Sequence, residues 1–146
     1  MDLIQRIFHA VTQLHPPHAL VVHFPIALTG SALFFILISL WKKNRILEQV
    51  AFADISLAAV STIVAAIFGI RDNFVFYAGI APNHAGKIVL AVTLFMLTSL
   101  MAIIRWRKKD VFYSRSTRWF FLAGYFVSFI IASVLGFLGG IILFGF

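Results

Sequence analysis

The chain has no cysteine, which removes disulfides, thiolate zinc sites, iron–sulfur clusters and the thioether-linked haem of c-type cytochromes. Charge is scarce too. Only 12% of the residues are Asp, Glu, Lys or Arg, about half the share in an ordinary soluble domain. Five residues are acidic, and none of them forms an evident catalytic carboxylate pair. No serine stands beside an obvious base, and no glycine-rich loop is built to cradle phosphate. A stand-alone enzyme is therefore not expected.

Apolar surface is what the chain has in excess. Hydrophobic residues make up 62% of 146 positions, too many for a water-soluble core to absorb. A helix that crosses ~30 Å of hydrocarbon needs roughly 20 apolar residues. Four stretches meet that requirement: Leu20 to Trp41, Val50 to Ile70, Ala85 to Ile104, and Trp119 to Leu143. The connections between them are short, which predicts an all-α, integral membrane four-helix bundle running up-down-up-down. One membrane domain, 1–146, accounts for the whole sequence.

The net charge of +7 has a pattern. Nine of the twelve basic residues lie in the first and third connections: Lys42, Lys43, Arg45, Arg105, Arg107, Lys108, Lys109, Arg115 and Arg118. Arg6, Arg71 and Lys87 are the other three. This asymmetry predicts that the two basic connections are cytoplasmic and both termini outside. The charge then marks topology and attracts anionic lipid headgroups; no nucleic-acid motif accompanies it. Trp41, Trp106 and Trp119 fall at the same boundary, where amphipathic rings prefer to sit. Asp54 reads as a residue at the start of the second helix.

Residues 1–14 place Leu3, Ile4, Ile7, Phe8, Val11 and Leu14 at helical spacing, which predicts a short amphipathic helix on the outer membrane surface. Pro16 and Pro17 end it. Ser61, Ala65 and Gly69, and likewise Gly136 and Gly140, recur every four residues. Such spacing allows close helix contact, either with a partner or, more simply, within the bundle.

All five histidines fall on the predicted outer side: His9, His15, His18, His23 and His84. His23 lies about one turn inside the first span, two residues before Pro25. A polar ring at that depth needs a partner, and irregular backbone there must be buried or line a polar cavity. With the first and third helices diagonal, His23 and His84 are expected to face the bundle axis at similar depth. That geometry suits haem b between two imidazoles. His18 and His15 are further candidates. A transition-metal ion held by His23, His84 and Asp72 is an alternative, and a site with no cofactor is another. Asn83 is expected to cap the third helix, and Arg71 and Asp72 to close the second.

The stretch His-Pro-Pro-His-Ala-Leu-Val-Val-His-Phe-Pro-Ile-Ala-Leu, from His15 to Leu28, resembles the opening of a bacterial family of small four-helix membrane proteins. That family is catalogued as domain of unknown function 2231. Gly69-Ile-Arg-Asp72 and His84 are similar to its later landmarks. The resemblance implies four helices and an outward-facing His cluster in the bacterial inner membrane. The family occurs alone and beside redox modules, which agrees with haem binding and electron transport through contact with other membrane redox subunits or a homo-oligomer. The rival reading is a cofactor-free accessory or assembly subunit of a larger respiratory or photosynthetic complex. In that case the histidines merely satisfy the outer rim of the bundle.

Overall fold

A computed structural model describes residues 2–5 and 17–144. Within it, Pro17–Val21 forms α1, His23–Lys42 α2, Arg45–Tyr77 α3, His84–Arg107 α4 and Arg115–Phe144 α5. There are no strands among the described residues. Four helical segments are long and apolar enough to cross a membrane, with α1 and α2 together making the first. Of the expected surface helix, residues 3–5 are helical and carry exposed Leu3 and Ile4. Its remainder, with His9, lies outside the described residues, as does His15.

The first span is interrupted where the sequence is irregular. Val22 breaks the helix, although its N–H still reaches the His18 carbonyl at 2.9 Å. Pro25 sits in the first turn of α2, where a missing N–H costs little. Lys43, at φ 50°, ends α2 in the left-handed region, and Asn44 begins α3 by accepting from the N–H groups of Ile46 (2.9 Å) and Leu47 (3.4 Å). This turn has only two residues, Lys43 and Asn44.

α3 is longer than its apolar run. It has 33 residues, and at ~1.5 Å each it spans about 50 Å, well beyond the ~30 Å of hydrocarbon. Arg71 and Asp72 therefore lie within the helix and do not close it; the end comes at Ala78 (φ 50°) and Gly79 (φ 84°). Hydropathy cannot register helix that continues into the headgroup layer, because hydrogen bonding along the backbone is indifferent to side-chain polarity. Asn83 also differs from expectation. It occupies the N-cap position of α4 at φ 54°, but its side chain makes no capping bond. The Ala81 carbonyl accepts from His84 N–H (3.2 Å) instead.

Each long helix packs against its neighbour in sequence, and α5 returns to pack on α2, leaving α2 and α4 diagonal. Glycines set the closest approaches. A side chain on Gly30 would meet the Phe129 ring at 3.1 Å, one on Gly124 would meet Met101 Sδ at 2.7 Å, and one on Gly136 would collide with Ile26. The pairs Ile26–Gly136 and Gly30–Phe129 run in opposite chain senses along α2 and α5. Gly69 and Gly136 thus serve packing inside the bundle, while a side chain on Gly140 would meet nothing within 4 Å among the described residues.

The apolar core gathers towards the basic connections. Ala32, Ile36, Ala51, Ile55, Met101, Phe121 and Tyr125 are buried there with Val111 and Phe112 of the α4–α5 connection. Phe112 folds inward and meets Phe121 (5.4 Å) and Tyr125 (5.7 Å) edge to face. Buried hydroxyls are satisfied by their own helices: Thr29 donates to the Pro25 carbonyl (2.7 Å), Thr98 to that of Leu94 (2.8 Å) and Ser128 to that of Gly124 (2.8 Å). Outward surfaces carry large apolar side chains such as Phe34, Leu57, Val92 and Phe126, as contact with lipid requires.

Candidate functional site

At the histidine end, α1 is pinned to the far part of α3. The backbone N–H of His18 donates to Asp72 Oδ2 at 2.9 Å, and His18 Nδ1 donates to the Ala65 carbonyl at 2.8 Å. The imidazole lies directly over Gly69, where any Cβ would stand 3.1 Å from the ring. Ala65, Gly69 and Asp72 recur at helical spacing on one face of α3, so one strip receives the whole of His18. Asp72 is 3% exposed, and its second oxygen, Oδ1, accepts from Arg71 Nη1 at 2.9 Å. With one hydrogen bond on each oxygen, the carboxylate joins two helices.

His23 and His84 are placed differently from the expectation. Both are exposed, where the diagonal reading had them turned to the bundle axis. His23 Nδ1 donates to the Ala19 carbonyl, four residues back, at 2.7 Å, and His84 Nδ1 to the Ala81 carbonyl at 3.1 Å. Val22 keeps a helical backbone (φ -63°, ψ -21°), so the Ala19 carbonyl lies one turn back within reach of the His23 ring. Among the described residues, no group of three or more His, Asp or Glu stands close enough to hold a metal ion.

The described histidines nevertheless share one feature. A carbonyl oxygen can only accept, so each of the three Nδ1 atoms must carry the proton, which leaves the lone pair of a neutral ring on Nε2. A backbone carbonyl on the remote nitrogen is the usual way to fix the tautomer and orientation of a ligating histidine.

Two polar pairs elsewhere were not foreseen as such. Near the basic end, Arg105 of α4 grips Glu48 of α3 through both Nε and Nη2, the latter at 2.7 Å, with Glu48 2% and Arg105 8% exposed. The sequence signal was available: opposite charges on two helices at the same level of the membrane. Deeper in, Ser31 of α2 donates to Asp54 Oδ2 at 2.6 Å. Because α3 begins at Arg45, Asp54 lies nine residues inside it and is no helix-start residue.

No curated protein and no solved structure matches the chain. A family model does, over residues 14–144, and it covers the His18 to Leu28 stretch, the Gly69–Asp72 strip and His84 together. The chain accordingly belongs to the family of predicted membrane proteins called DUF2231.

Proposed function

We propose that the protein is a membrane-embedded haem b protein of the bacterial inner membrane that passes electrons, with the histidine end and both termini outside. The observation that carries this reading is the shared tether: Nδ1 of His18, His23 and His84 is committed to a backbone carbonyl, so Nε2 is the nitrogen left to bind iron. The donor set fits the group, because haem iron takes a neutral imidazole nitrogen as axial ligand. Bound there, haem supplies one-electron exchange. The chain itself supplies oriented imidazoles near one membrane surface, where a redox partner can approach.

His23 and His84 are the first candidates because their rings are exposed. His18, held in place over Gly69, is a reserve, with His15 behind it. A bare metal ion on His23, His84 and Asp72 has less support, since among the described residues no three His, Asp or Glu stand close enough to hold one. The exposure of His23 and His84 also favours the rival reading, a cofactor-free subunit of a larger complex, in which both rings stand at the bundle's rim.

The test is the reduced-minus-oxidised absorption spectrum and iron content of protein purified from its native membrane in mild detergent. The haem reading expects a sharp b-type band that is lost in His23→Ala and in His84→Ala but kept in His9→Ala. An unchanged band in His23→Ala refutes the ligand assignment. A colourless, iron-free native sample that migrates with larger partners decides for the subunit reading.

A further inference from the structure

Ser31 lies eight residues after His23 and ten before Trp41 on α2. At ~1.5 Å per residue it stands about 12 Å from one end of the span and about 15 Å from the other. The Asp54 carboxylate, bonded to Ser31 Oγ, therefore sits near mid-membrane. A carboxyl at that depth is costly to keep charged and is seldom retained without a role. Among the described residues, no Lys, Arg or His forms an ion pair with it. Glu48, six residues back on the same helix, has Arg105 gripping both of its oxygens. Of the three carboxyls of α3, Glu48 and Asp72 each accept from an arginine, and Asp54 accepts from a neutral hydroxyl.

We propose that Asp54 is an intramembrane proton-exchange site, a carboxyl that takes up and releases one proton near mid-membrane with Ser31 as its partner. A serine hydroxyl donates to a carboxylate and accepts from a carboxylic acid, so the Ser31–Asp54 bond can be kept in both states by rotating one hydrogen. A guanidinium partner, which only donates, would hold the charged form alone. The ionisable groups facing the site are few. From α5 the buried Tyr125 lies within electrostatic reach of Asp54, Glu48 and Arg105, and α2 contributes the neutral Ser31. Glu48 and Arg105 stand ~9 Å along α3 towards the basic end, so the polar groups continue from the site to that surface. This assignment is independent of whether the histidine end carries haem.

Dicyclohexylcarbodiimide, an apolar reagent that enters bilayers, adds to protonated carboxyls. The whole acid adds across the carbodiimide, so the adduct mass is the sum of the two reactants. Native membrane vesicles would be treated over a range of pH and the labelled peptides located by mass spectrometry. The proposal expects an adduct on Asp54 that declines as pH rises, persists in Glu48→Gln, and disappears in Asp54→Asn while that variant still elutes as folded protein. Absence of the adduct at every pH, or labelling of Glu48 as readily as Asp54, would overturn it. Ser31→Ala adds a second reading: a shifted pH dependence of labelling supports the partnership, and an unchanged one removes Ser31 from the site.

Discussion

Replacing Glu48 with Ala removes both oxygens that Arg105 grips and leaves a guanidinium that is 8% exposed, with the Phe52 ring 5.5 Å away. Breaking a buried ion pair from one side costs about 3–5 kcal/mol, because the surviving charge stays desolvated. Arg105 stands beside exposed Trp106 and two residues before Arg107, so its long side chain can reach towards the headgroups and recover part of that cost. The expected loss is therefore at the lower end, about 3 kcal/mol. For a chain of this size that corresponds to a fall of roughly 6–12 °C in the unfolding midpoint. The double variant Glu48→Leu with Arg105→Met removes both charges and keeps apolar volume, and it should recover most of the loss, because the isolated charge and not the missing bond is the larger penalty. Thermal unfolding of the native protein, Glu48→Ala, the double variant and its two component single variants in one detergent, followed by helical circular dichroism, measures both effects. A Glu48→Ala loss below about 1 kcal/mol would refute the claim that the pair is desolvated. A double variant as unstable as the sum of the singles would refute the attribution to the stranded charge.

The pin at the histidine end makes a similar prediction on a smaller scale: Asp72→Ala strands the His18 N–H and should cost about 1–3 kcal/mol in the same assay. Gly69→Val forces the His18 ring off its bond to Ala65, so loss of protection from hydrogen exchange in α1 is expected, against no change in the α4–α5 connection. Gly136→Val drives a side chain into Ile26 and should destabilise by about 1–3 kcal/mol, whereas Gly140→Val, which meets no described residue within 4 Å, should stay within ~0.5 kcal/mol; equal effects would mean the α2–α5 contact is misplaced. An alkaline phosphatase reporter inserted between Ile80 and Ala81 should be active, and one inserted after Lys108 inactive, if the basic connections are cytoplasmic; the reverse pattern would invert the assigned orientation.

Much of the architecture could be read directly because lipid imposes a single requirement on the backbone: every peptide group must be bonded within its own segment. Four apolar stretches could then only be four helices, and the break near Pro25 followed from a missing N–H. That His18, His23 and His84 share one end of the bundle was legible for the same reason, since residue number and helical rise give position along each helix. Rotation about the helix axis was not. His23 and His84 could be assigned to one end of the bundle, but only the tertiary structure showed that their rings bond to nearby carbonyls and stay exposed.

What the sequence by itself determined is the class of the protein, its spans, its charge asymmetry and the family-like His18 to Leu28 stretch. Tertiary structure alone decided which polar groups meet: His18 with the Ala65–Asp72 strip, Ser31 with Asp54, and Glu48 with Arg105. The physical reason is that hydropathy sums over a segment, whereas a hydrogen bond depends on the azimuth and register of two helices. Those are set by small residues such as Gly30, Gly124 and Gly136, whose contacts lie about a hundred residues away in two cases and about twenty in the third.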